Sequence, residues 1–161
     1  MRSRIGVAIL ILILTITGGA FMATAASGKQ ALHVVIGPLD DSSVSIVDVH
    51  RDGLRLGDRI AARGALLDES QEDRVGTAYL QCLVHRRIID PDQGLWNCNY
   101  VLKLDDGNIM LQGLDPRGPG EYEVAVLGGT GAYAGASGDS TFTDFGADGS
   151  GYTDIVVRLG D

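Results

Sequence analysis

Leu127-Gly128-Gly129-Thr130-Gly131-Ala132-Tyr133-Ala134-Gly135-Ala136-Ser137-Gly138 is the stretch on which the reading of this chain turns. It carries five glycines in twelve residues, so its backbone can adopt positive φ and pass close to other strands. Tyr133 is its one aromatic residue, and alternating segments flank it on both sides. The stretch therefore reads as a corner of a sheet. A dinucleotide-binding loop built on Gly129-x-Gly131 would need a helix after it and a βαβ unit of about 30 residues. Only Ala132 to Asp161 remains, and it reads as strands.

Outward from this corner, short β-branched or alternating runs recur between turn signals. The runs before the corner are Leu32 to Ile36, Ser43 to Val49, Arg59 to Leu67, Val75 to Arg87, Leu95 to Leu104, Asn108 to Leu114 and Tyr122 to Leu127. Ser140 to Phe145 and Tyr152 to Leu159 follow it. Gly37-Pro38, Gly57-Asp58, Asp90-Pro91-Asp92, Asp105-Asp106-Gly107 and Gly146 to Gly151 punctuate them. About eight or nine strands with short connections make one all-β domain, a barrel or a sandwich. The 23 glycines suit a barrel, whose closure needs bends and bulges.

Two adjacent runs show their faces. Ala78, Leu80, Cys82 and Val84 share one side of the first, opposite Thr77, Tyr79, Gln81 and His85. Trp96, Cys98, Tyr100, Leu102 and Leu104 share one side of the second. The apolar sides should look into the barrel. With the turn centred near Asp90, Cys82 and Cys98 fall about opposite each other on the inward face. That is compatible with a disulfide; two buried free thiols are the other reading.

Arg2 and Arg4 precede an almost unbroken apolar run from Ile5 to Ile16, and Ala23-Thr24-Ala25 supplies a small-residue site. This is the layout of a secretory signal peptide over residues 1–26, leaving a single domain over 27–161. The apolar core is shorter than the ~20 residues of a spanning helix. Gly18 to Ala26 could lengthen it, so an uncleaved membrane anchor is the alternative. The expected location is secreted or extracytoplasmic. The net charge of −8 argues against nucleic acid and anionic membrane surfaces as partners. No zinc pair, phosphate loop or G-x-S-x-G element is present, and no cofactor is expected.

Several motifs in series resemble the allene oxide cyclase-like barrels and their dirigent relatives. Arg74-Val75-Gly76 is followed by Cys82 at the spacing seen in plant allene oxide cyclases. Gly107-Asn108-Ile109-Met110-Leu111-Gln112-Gly113 is similar to the family's G-x-I/L-x-V-Q-G strand, and Gly57-Asp58 also fits. Ala125 to Gly138 resembles A-[IV]-T-G-G-[ST]-G-x-[FY]-x-G-[AV]-x-G, with Leu127 at the threonine. The likeness runs from about Ser43 to Leu159. It implies an eight-stranded antiparallel barrel, often a homo-oligomer (dimer or trimer), whose lumen holds a hydrophobic small molecule.

The resemblance also implies where chemistry would sit. The cyclases use a glutamate on their first strand and an asparagine two residues later. If Ser43 to Val49 is the first strand, Asp48 and His50 stand there; if Leu32 to Ile36 is first, no acid does. Cys82 matches a cavity cysteine, which a bond to Cys98 would remove as a thiol. Asp48 and Tyr100 are the candidate catalytic pair, Asp48 as acid or base if buried. Leu80, Cys82, Trp96, Cys98, Leu102, Tyr122 and Tyr133 are the candidate cavity residues. The function expected is a cyclase or isomerase-like barrel that folds a polyketide- or oxylipin-like molecule by orientation. A non-catalytic guide or carrier, and a structural module with a filled lumen, are the alternatives.

Overall fold

The computed structural model describes residues 30–39, 43–49, 51, 54–86, 94–116, 118–145 and 151–160. The expected signal segment, His50, the expected turn at Asp90-Pro91-Asp92, and 146–150 of the glycine-rich loop lie outside the described residues.

Wherever β-branched and aromatic residues alternate with polar ones, the chain is extended. The strands are β1 (Gln30–Ile36), β2 (Val44–Val47), β3 (Arg59–Leu67), β4 (Arg74–Arg86) and β5 (Leu95–Leu104). They continue as β6 (Gly107–Asp115), β7 (Gly120–Gly129), β8 (Gly138–Asp144) and β9 (Thr153–Leu159). From β3 to β9 each strand pairs antiparallel with the next. β1 pairs along its length with β9 and also meets β3 at Val35↔Leu67 and Ile36↔Leu66, which closes the sheet on itself. β2 continues along that same edge of β3, from Val44↔Ala62 to Val47↔Arg59. β1 and β2 thus share one position, and the result is a closed eight-stranded antiparallel barrel.

The expected faces are the observed ones. Ala78, Cys82 and Val84 of β4 and Trp96, Cys98, Tyr100 and Leu102 of β5 are buried, whereas Tyr79 is exposed. They join Ile109, Leu111, Val124, Phe142, Ile155 and Val157 in one core inside the barrel. Among the described residues no helix is long and apolar enough to cross a membrane.

The glycine-rich corner joins β7 to β8 through a short 3-10 turn at Gly131–Tyr133. It is docked on the β5–β6 hairpin: Ala132 N–H donates to the Asp106 carbonyl (2.8 Å) and Thr130 N–H to the Asn108 carbonyl (2.8 Å). Gly131 has φ 63°, and a Cβ there would collide with the Asp106 carbonyl. Both facts demand glycine. Leu127, which stands where the resemblance has threonine, is the extra residue of a bulge, because Met110 pairs with Gly128 and Leu111 with Val126.

Gly57-Asp58 has a different task. Asp58 is fully buried, and its carboxylate accepts from Val49 N–H (2.9 Å) and Arg55 N–H (2.6 Å). Its own carbonyl accepts from Val84 N–H (2.9 Å). It therefore pins the β2–β3 connection to the end of β4. Asp58→Ala should cost about 2–3 kcal/mol, because two part-buried hydrogen bonds to a charged acceptor are lost. Chemical denaturation checks the size of the loss, and faster hydrogen exchange at Val49 and Arg55 checks its place.

Cys82 and Cys98 are direct register partners, with Cα atoms 4.0 Å apart, and they form a disulfide. No free cysteine remains, so Cys82 is not available as a cavity thiol. The bond encloses a sequence separation of 16, for which loop-closure entropy predicts about 3 kcal/mol. The Cys82→Ala/Cys98→Ala pair should unfold with a stability lower by that amount, measured by denaturant titration without reductant.

Candidate functional site

An antiparallel meander places the ends of β4, β6 and β8 and the starts of β5, β7 and β9 at one mouth of the barrel. A cavity of about 310 Å³ opens there, a size within the range of small-molecule sites. Its walls come from every side of the barrel. Ile36, Val44, Ile60 and Ala62 line it from β1, β2 and β3. Leu80 and Cys82 come from β4, Trp96 and Tyr100 from β5, and Phe142 from β8. Ile46 and Tyr152 line it while remaining 55% and 38% exposed, which marks the rim.

One polar group of residues breaks this apolar wall. Asp115 ends β6, Tyr122 lies near the start of β7, Asp144 ends β8, and all three line the cavity with Tyr100. The Tyr100 and Tyr122 hydroxyls lie 3.4 Å apart. Phe142 supports both rings, with centroid distances of 4.8 Å to Tyr100 and 5.5 Å to Tyr122. Burial in the barrel drives the Tyr122 pKa far above the ordinary phenol value, and Tyr100 and the negative charges of Asp115 and Asp144 push the same way. Tyr122 is thus a fixed neutral phenol that can donate a hydrogen bond to a bound oxygen.

The residues picked out from sequence divide into two groups. Leu80, Cys82, Trp96, Tyr100 and Tyr122 line the cavity. Cys98 and Leu102 are buried inside the barrel but are not part of the lining. Tyr133 belongs to the glycine corner, at the opposite end of the barrel, where it packs on the core from outside the cavity. Alternation tells which way a side chain points, not how deep along the bore it sits. Asp48 lies beyond the end of β2, accepts from the Arg51 N–H (2.6 Å), and is likewise off the lining.

Sequence reading missed Asp115 and Asp144. Asp115 lies just past the expected run Asn108 to Leu114 and is followed by proline, yet it keeps the inward phase of Ile109, Leu111 and Gly113. Asp144 keeps the phase of Ser140 and Phe142. His33, which has no partner nearby in sequence, meets Asp154 at 2.6 Å and Glu69 at 3.2 Å through the fold. Among the described residues no three or more His, Cys, Asp or Glu side chains come together as metal ligands.

No protein-family profile matches the sequence, and no curated protein matches it. Solved structures do match. Pyocyanin demethylase is 22% identical with a TM-score of 0.64, over 81% of this chain and 99% of that one. A pterocarpan synthase dirigent protein is 17% identical with a TM-score of 0.66, over 83% of this chain and 97% of that one. A nonspecific heme-binding cyclase that catalyses a cycloaddition in neoabyssomicin biosynthesis is 14% identical with a TM-score of 0.58, over 84% of this chain and 70% of that one. The fold is therefore the closed eight-stranded barrel that these structures share, as the motif resemblance implied.

The state of Tyr122 sets an alkaline limit. An unfolded tyrosine ionises near 10.0, whereas folded Tyr122 holds its proton beyond that. Above pH 10 the unfolded chain gives up a proton that the barrel keeps, so stability falls as pH rises, by about 1.4 kcal/mol per pH unit from this group. Tyr122→Phe should flatten the decline between pH 10 and 12 in urea titrations. An unchanged slope would mean that this phenol is solvated.

Proposed function

We propose that this protein binds a hydrophobic small molecule in the barrel mouth and folds it into one reactive conformation, as a cyclase or isomerase-like barrel. The cavity carries this reading: apolar and aromatic walls with a single polar group of residues near one side. Such a shape orients a flexible polyketide- or oxylipin-like skeleton and fixes one polar end, which supplies proximity and orientation. Tyr122 donates to an oxygen where negative charge builds, with Tyr100 beside it. Asp115 and Asp144, rather than Asp48, are the carboxylates in reach of a bound molecule. One of them takes a proton and returns it, so the rearrangement is neutral overall and consumes no co-reactant.

A second reading, a non-catalytic guide or carrier, draws support from the disulfide. A Cys82–Cys98 bond fits an oxidising compartment, and so does the signal-like N-terminal pattern. Export suits a protein that moves or shields a ligand.

Two measurements test these readings. N-phenyl-1-naphthylamine, a neutral apolar dye, should light up saturably at one site per chain, and Ala62→Phe, which adds a ring to the cavity wall, should abolish the signal while the fold persists. Dye emission that does not saturate, or that ignores the filled cavity, would remove the binding reading. Tyr122→Phe should keep the dye; with a turned-over substrate in hand, it should lower kcat about 10²–10³-fold. A full-rate variant would remove Tyr122 as the donor, and a dye-binding protein that converts none of the candidate substrates would leave the guide or carrier.

A further inference from the structure

Exposed apolar side chains gather at the mouth of the cavity. Val47, Val49 (63% exposed) and Leu56 (63%) lie at the end of β2 and in the β2–β3 connection, and Phe145 (66%) follows β8. Ile46 and Tyr152 are exposed beside them and also line the cavity. The apolar surface therefore runs from the outside, over the rim and into the bore. A single exposed apolar residue is ordinary, but a group at one site marks a contact surface.

The backbone of this rim is satisfied from within. Val49 N–H and Arg55 N–H donate to the Asp58 carboxylate, and Arg51 N–H donates to the Asp48 carboxylate. Gly57 N–H donates to the Val84 carbonyl (3.0 Å), Asp58 N–H to the Arg55 carbonyl (3.0 Å) and Phe145 N–H to the Tyr152 carbonyl (3.1 Å). A connection that meets water can leave its amides to the solvent; one that enters lipid cannot. The same bonds turn Asp48 and Asp58 onto the chain itself. Arg51 and Arg59 are exposed with the apolar residues. Their stems can lie along apolar surface while the guanidinium groups reach lipid phosphates.

We propose that the rim of the mouth seats on a zwitterionic lipid bilayer, with Val49, Leu56 and Phe145 in the interfacial layer and the cavity opening toward the lipid. The inference deepens the reading of the cavity as a site for hydrophobic molecules, because it names their source. A second copy seated there would close the mouth. A bilayer instead holds apolar molecules and passes them to the cavity without a step through water. A chain of net charge −8 is repelled by an anionic surface, so the lipid is zwitterionic.

The test uses the full chain with its disulfide formed and one nitrobenzoxadiazole label, at Leu56→Cys, at Phe145→Cys, or at Asp105→Cys in the β5–β6 turn at the opposite end. Such a label reports its own surroundings, so lipid held elsewhere on the chain does not light it. With phosphatidylcholine vesicles, the labels at Leu56→Cys and Phe145→Cys should brighten and be quenched by doxyl-labelled lipid, and the label at Asp105→Cys should do neither. Leu56→Asp/Phe145→Asp, read by a label at Val49→Cys, should raise the lipid concentration for half the signal at least about tenfold, because two large apolar side chains leave the interface. Rim labels that ignore the vesicles, or quenching at Asp105→Cys, overturn the inference. Brightening without vesicles that grows with protein concentration also overturns it and assigns the rim to a second copy. N-phenyl-1-naphthylamine in lipid-free buffer keeps the two readings apart. Leu56 and Phe145 do not line the cavity, so the double variant should bind the dye as the unaltered chain does. Dye binding without rim insertion leaves the cavity reading and removes this one; rim insertion without dye binding does the reverse.

Discussion

Barrel closure at β1 is the constraint on which the rest depends. A meander of seven strands has two raw edges, and an open sheet has no inside. β1 removes both edges at once by pairing with β9 along its length and with β3 at Val35 and Ile36. β2 then covers the remainder of the β3 edge. Only after this closure do the inward residues of all strands face one another, and only then does a lumen exist. The interruption between β1 and β2 also matters. It puts Ile36, Val44 and Ile46 around one mouth, so the seam of the barrel is part of the wall of the cavity.

The two ends of the bore have different chemistry. At the glycine corner the chain is docked by backbone hydrogen bonds on the β5–β6 hairpin, and the inward residues Leu102 and Ile109 are completely buried. At the other end Phe142 and the two tyrosines hold a space open, and two aspartates close strands on its rim. A filled half supplies hydrophobic stabilisation, as does the covalent tie between β4 and β5. The open half can therefore keep polar groups in a partly desolvated place, where they contribute least to stability.

Much of this was legible from residues alone. The strands lie within a few residues of their expected bounds, since β-branched alternation and glycine or proline breaks are local signals. The faces of β4 and β5 followed from parity, and parity with one turn position was enough to oppose Cys82 and Cys98. The candidate site was legible in part. Leu80, Trp96, Tyr100 and Tyr122 were found because they lie in the middle or at the start of clear runs. Asp115 falls just past the run Asn108 to Leu114, where the following proline gives it the look of a turn residue, and Asp144 lies within the run Ser140 to Phe145 with no local sign of its depth in the bore. Asp48 was favoured because apolar neighbours suggested burial, yet β2 is an edge segment whose Ile46 and Val47 are exposed.

By itself the sequence determined the strand content, the inward and outward sides and the need for glycine at the corner, because each follows from backbone sterics and a two-residue period. The tertiary structure alone decided which strand closes the barrel, which end stays open and which carboxylates share a space with Tyr122. Those depend on depth along a tilted, closed sheet, where residues dozens of positions apart become neighbours and a local pattern carries no record of the distance between them.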